Sequence, residues 1–210
     1  LRLHEKLAGR FLVLDGPDGC GKSTQIGLLA ERLGGGPLEV VRTVDPGGTR
    51  IGDRIRQLLL GDHLTAMDVR CETLLFMASR AQLAAEVVRP ALARGAVVLC
   101  DRFVSATCAY QGAAGHDVRA ILELGRLAVG DTWPDLTIVL DVPVELGRQR
   151  RSHRPADAME SRSEDFHRRV RQGFLSLPPD YPGRVEVLDA SPGPGQVHEA
   201  IMEVLERVAF

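Results

Sequence analysis

The stretch that most constrains this chain is 16-GPDGCGKST-24, which follows the apolar run 11-FLVL-14 and opens a helical pattern. Its spacing, Gly16-x-x-x-x-Gly21-Lys22-Ser23, is that of a P-loop lying between a strand and a helix. Gly16, Gly19 and Gly21 let the backbone curl until successive N–H groups converge on one anion, and the helix that comes next turns its positive end to the same point. Pro17, Asp18, Cys20 and Thr24 complete the loop, so residues 16–24 are expected to bind ATP or another nucleoside triphosphate. Lys22 supplies a point charge for the outer phosphates, and the Ser23 hydroxyl is a ligand for Mg²⁺.

A loop of this kind needs a parallel sheet behind it, and the rest of the chain supplies one. Five β-branched or apolar runs, at 11–15, 38–43, 96–101, 136–142 and 184–190, read as buried parallel strands. Helical patterns begin between them, near Lys22, Thr49, Asp68, Val118, Val144, Glu164 and Pro194. Strands alternating with helices imply crossover units: an α/β three-layer sandwich of the P-loop NTPase type, with a five-stranded parallel sheet covered on both faces. The 210 residues suit one domain, expected over 10–210, with residues 1–9 as an N-terminal extension. Four runs end on an acidic residue, Asp15, Asp101, Asp141 and Asp189, where open parallel sheets bind ligands. Asp141 and Asp189 could equally cap the next helix.

Charge and sequence pattern remove several function classes. A net charge of −2 argues against a dedicated nucleic-acid binder, and no apolar run is long enough to span a membrane as a helix. The four cysteines lack metal-site spacing and read as reduced thiols of a cytoplasmic protein. The only lysines are Lys6 and Lys22, so the N-K-x-D signature of guanine-specific switches has no place here. A small kinase remains, with its second substrate across the sheet edge from the triphosphate.

Arg102 directly follows Asp101 at the end of the third expected strand, where its fork can hold a monophosphate bidentately and Asp101 can act on Mg²⁺ or a water. Phe76 and Arg80 lie four apart on one helix and share a face: an aromatic plate beside a donor. Together, 43-TVDPGGT-49, 74-LLFMASRAQ-82, 101-DRFVSATCAYQG-112 and 135-DLTIVLDVPVELG-147 resemble bacterial thymidylate kinases, in consistent order from about residue 10 to the C-terminus.

That resemblance implies phosphoryl transfer from Mg-ATP to dTMP in a homodimer with a mobile, arginine-bearing lid. It places the dTMP phosphate on Arg102, the thymine ring on Phe76 and its carbonyl on Arg80. Tyr110 is implied beneath the deoxyribose, with Thr107 and Gln111 near the base edge. Asp45 and Arg56 are assigned to the acceptor side, and Asp18, a poor neighbour for a triphosphate, to the acceptor sugar hydroxyl.

A phosphate monoester with a second pKa near ~6 is already largely ionised at neutral pH, so the chemistry calls for positioning and cations rather than a strong base. The lid, expected at about 147–163, carries Arg148, Arg150, Arg151 and Arg154, and the four-residue spacing selects Arg150 and Arg154 as the acting pair. Three positions depart from the family pattern: Val44, Ala106, and the lid sequence Asp157-Ala158-Met159-Glu160, where an arginine is lost. Another nucleoside monophosphate kinase, or a non-catalytic nucleotide-binding regulator, is the alternative.

Overall fold

The computed structural model describes residues 3–61, 67–153 and 157–210. Its centre is a parallel sheet of β1 (Phe11–Asp15), β2 (Val40–Val44), β3 (Val97–Asp101), β4 (Leu136–Asp141) and β5 (Arg184–Asp189), in the spatial order β2-β3-β1-β4-β5. The three inner strands are almost wholly buried, whereas the edge strands β2 and β5 are partly exposed. This explains why the inner runs are near-continuously apolar while Arg42, Arg184 and Glu186 are tolerated at the edges.

Strand alternation distributes the core. Leu12, Leu14, Val97 and Leu99 point into one cluster with the helices α2 (Lys22–Gly34) and α10 (Pro194–Arg207). Phe11, Val13, Val98 and Cys100 point into the opposite one, with α4 (Val69–Leu83), α6 (Val104–Ala113) and α7 (Val118–Val129). A third, smaller cluster packs α9 (Glu164–Leu175) on α6 through Tyr110, Phe166 and Phe174. The remaining helices are α1 (Leu3–Leu7), α3 (Arg50–Leu60), α5 (Arg89–Ala93) and α8 (Val144–Arg151).

Local chemistry sets the helix starts. Thr49 caps α3 through its hydroxyl, which accepts from the Gly52 amide at 2.9 Å, and Asp68 caps α4 by accepting from Arg70 N at 2.8 Å. Between α4 and α5 lies one π-helical turn, Ala84–Val88, which widens the helix just before Pro90, where a regular turn would bring the ring against a carbonyl. Residues 3–7, within the expected extension, form a helix whose Leu7 is fully buried, and Lys6 donates to the Glu206 carbonyl at 2.7 Å.

Candidate active site

The loop 16–24 closes over the carboxyl end of β1. Gly16, Gly19 and Gly21 take φ values of 134°, 81° and 98°, a region that side chains resist. A Cβ on Gly19 would lie 2.1 Å from the Gly147 carbonyl oxygen, so the loop and α8 touch backbone to backbone. Lys22 Nζ folds into the loop and donates to the carbonyls of Gly16 and Pro17 at 3.3 and 3.2 Å. Ser23 and Thr24 remain exposed at the start of α2.

Ser23 Oγ donates to Asp101 Oδ2 at 2.8 Å, which brings the end of β3 to the P-loop helix. Two hard oxygen donors at this point suit a divalent cation that keeps several waters. No group of three or more His, Cys, Asp or Glu side chains among the described residues could hold a metal ion by itself. Two protein oxygens fit a cation that takes the rest of its shell from water and ligand oxygens.

Arg102 is the one non-glycine residue with positive φ, 72°, among the described residues. Backbone strain at such a position persists only where surrounding contacts over-determine it. Those contacts are present: its amide donates to Leu14 O, its Nη1 to Asp15 Oδ1 at 3.1 Å and Gly16 O at 3.0 Å, and its Nη2 to Asp18 Oδ1 at 2.5 Å. The guanidinium carbon sits 5.0 Å from the Tyr110 ring centre, and Tyr110 donates its own hydroxyl to Asp18 Oδ2 at 2.5 Å. Burial pushes the Asp15 carboxyl up, against the pull of Arg102 and Ser105. Burial also works to raise Asp18, but Arg102, Lys22 and the Tyr110 hydroxyl together hold it below its ordinary value.

Deeper in the cleft, Arg80 Nη2 and Nε lie 2.6 and 2.7 Å from Asp45 Oδ2, in an ion pair buried on both sides. Arg80 Nη2 also reaches the Phe103 carbonyl and Thr107 Oγ1. Burial raises the Asp45 carboxyl, opposed chiefly by Arg80, and its Oδ1 has no hydrogen-bond partner among the described residues. Much of the Arg80 fork is thus already engaged by protein. Phe76 is half-buried and belongs to none of the three apolar clusters, which separates it from a core phenylalanine. Arg56 Nη1 donates to the Pro46 carbonyl at 2.8 Å and so supports the 45–48 loop.

The arginines of the expected lid diverge. Arg150 donates to the carbonyls of Ala190, Ser191 and Pro192 at 2.8, 2.9 and 3.3 Å, anchoring the chain just after β5. Its expected companion Arg154 lies outside the described residues. Arg151, on the next face of α8, lines the cleft 3.4 Å from Glu160, with a buried Nε that has no hydrogen-bond partner among the described residues. Arg148 points outward, its side chain 75% exposed. Of the two strand-end acids left open by the sequence, Asp141 pairs bidentately with Arg171, and Asp189 accepts from Ser191 N.

One cavity of about 590 Å³ unites these groups. The P-loop from Asp18 to Thr24, Asp101 and Arg150 lie along it together with Asp45, Arg56, Phe76, Arg80, Arg102, Thr107, Tyr110 and Gln111. Behind the cavity wall, sequence reasoning passes over Glu72 on α4, which accepts from Gln111, and weighs Arg162 only against the lost lid arginine, not as the partner of Glu72 that it is. The four-residue stripe Glu72, Phe76, Arg80 was the available signal for the first.

Residues 14–201 match the protein family described as Thymidylate kinase. A relative named thymidylate kinase from Pseudomonas fluorescens (strain Pf0-1) is 47% identical over 186 residues, spanning 88% of this chain and 89% of the relative. Another of that name from Pelotomaculum thermopropionicum is 43% identical over 205 residues, or 96% of this chain and 95% of the relative. The crystal structure of thymidylate kinase from Ehrlichia chaffeensis superposes with a TM-score of 0.77 at 32% identity, covering 95% of this chain and 99% of that one. These names favour neither another monophosphate kinase nor a non-catalytic nucleotide binder.

Proposed function

Because the chain belongs to the thymidylate kinase family and phosphorylates dTMP in nucleotide biosynthesis, we infer that its cleft holds ATP and dTMP end to end, with their phosphates meeting between Lys22 and Arg102. The observation that carries this reading is the single cavity bounded by the P-loop on one side and by Phe76, Arg80 and Arg102 on the other. The loop amides and Lys22 bind the donor phosphates, and Arg102 binds the acceptor phosphate. Phe76 stacks on the pyrimidine, Arg80, Thr107 and Gln111 meet its polar edge, and Tyr110 and Asp18 lie beneath the sugar.

The acceptor oxygen attacks the terminal phosphorus of ATP in line, and ADP leaves. No side chain has to remove a proton from a dianionic phosphate, so the residues act by alignment and by neutralising charge. Ser23 and Asp101 would hold Mg²⁺, which when bound draws charge from the phosphate oxygens. Segment 147–163 serves as the lid of a single domain over 10–210; Arg150 and Arg151 both line the cleft, and Arg151 is the one not tied to the 190–192 carbonyls. Closure excludes water and limits wasteful hydrolysis.

The enzyme works as a homodimer in the cytoplasm. Support for the dimer comes from Ile51 and Leu58 on α3, Leu74 on α4 and Leu127 on α7, all at least 54% exposed on neighbouring helices. No helix among the described residues is long and apolar enough to cross a membrane. ADP release measured with Mg-ATP over a panel of monophosphates tests the reading. dTMP should give the highest kcat/KM, and equal or faster turnover of dCMP or dGMP would contradict it.

A further inference from the structure

We propose that Glu72 is a positioning residue that sets base specificity by fixing the amide of Gln111, and that Arg162 holds Glu72 in place. The proposal rests on the reading of Gln111 as a contact to the base edge. Glu72 lies in the first turn of α4, on the same stripe as Phe76 and Arg80, with its side chain only 6% exposed. One carboxylate oxygen accepts from Arg162 Nη2 at 2.5 Å, and the other accepts from Gln111 Nε2 at 3.2 Å. The guanidinium of Arg162 is in turn stacked 4.7 Å over the Phe166 ring.

A carboxylate facing a guanidinium accepts hydrogen bonds and cannot donate them. Gln111 must therefore turn its NH₂ group to Glu72 and its carbonyl oxygen elsewhere. The bond to Glu72 is the Gln111 side chain's one hydrogen bond among the described residues, and Gln111 lines the cavity. Free of Glu72, the amide could flip and present either a donor or an acceptor; bound to it, the carbonyl is left to the base. Thymine and uracil carry an N3–H that such a carbonyl accepts, whereas cytosine has a lone pair at N3 that it repels. A site left with a mismatched buried polar group discriminates far more strongly than one that lacks a methyl contact. Glu72 thus makes a two-way amide a one-way reader without touching the nucleotide, and the lid supplies its countercharge.

Titration calorimetry of dTMP and dCMP with the wild-type chain, Glu72→Gln, Arg162→Ala, Gln111→Leu and the Glu72→Gln/Gln111→Leu double variant tests this. Glu72→Gln should lower the preference for dTMP over dCMP by about tenfold while ATP affinity stays within about twofold, since a neutral amide accepts either orientation of its neighbour. Arg162→Ala, at a more exposed site, should act in the same direction by about threefold. In the Gln111→Leu background, Glu72→Gln should produce no further loss of preference. An unchanged preference in Glu72→Gln, or an equal effect with and without Gln111, overturns the proposal. Should Glu72→Gln fold poorly, an unchanged preference in Arg162→Ala overturns it instead. A Gln111→Leu variant that keeps the full preference shows that the underlying reading of Gln111 has failed, which is a different result.

Discussion

Arg80 and Ser23 face the same cleft from opposite sides, yet their surroundings differ. Arg80 is about 1% exposed and is held by Asp45, Phe103 and Thr107, while Ser23 lies exposed at a helix start with Asp101 as its partner. Arg102 repeats the acceptor-side pattern, lying between Asp15, Asp18 and Tyr110. Around the P-loop, where the proposed reading puts the donor phosphates, the groups on offer are mostly backbone, one lysine folded into its own loop, and an Arg150 committed to distant carbonyls. On the proposed reading, the acceptor half is one that the protein's own ion pairs already order, and the donor half is one that loop shape orders and that takes its countercharge from the bound nucleotide.

If that contrast holds, damage on the acceptor side should cost both activity and stability. Arg102→Ala should reduce dTMP turnover by about 100- to 1,000-fold while ATP binding, followed by nucleotide titration, changes little. Parallel loss of ATP binding would erase the distinction between the halves. Arg80→Ala strands the Asp45 carboxylate in the interior and should lower unfolding free energy by about 3–5 kcal/mol in urea titrations.

Smaller effects sharpen the comparison on the lid. Arg150→Ala releases the 190–192 carbonyls and should raise the KM for ATP about threefold with kcat nearly unchanged. Arg151→Ala should instead lower kcat by about tenfold or more, because its charge lines the cleft without being tied, as Arg150 is, to the 190–192 carbonyls. The smallest effect concerns pH. Asp18 is held below its ordinary value of 3.8, so the stability it contributes is present above that pH and is lost as pH falls through its lower folded-state value. Asp18→Asn should flatten that acid limb in denaturant titrations between about pH 2 and 5, where the wild-type chain loses stability.

The five strands and the P-loop were legible because they depend on local pattern. An apolar run followed by Gly16, Gly21 and Lys22 leaves little choice of backbone, and every expected strand formed within about two residues of its expected ends. Phe76, Arg80 and Arg102 were legible through their spacing and flanks, and all three line one cavity. What could not be read were the partners. The four-residue spacing predicts a shared helix face for Arg150 and Arg154, but nothing local announces that Arg150 meets carbonyls some forty residues later. The buried Arg80–Asp45 pair joins segments thirty-five residues apart, and the Glu72–Arg162 pair joins segments ninety apart. Long-range ion pairing leaves no period in a sequence, whereas strands and helices do.

A crystal structure of the chain with dTMP alone is the most direct test of a ready-made acceptor half. It should show the pyrimidine against Phe76, the phosphate at Arg102, and Arg80 still bound to Asp45 as it is without nucleotide. A base lying elsewhere, or an Arg80 that has left Asp45 to meet it, would contradict the account.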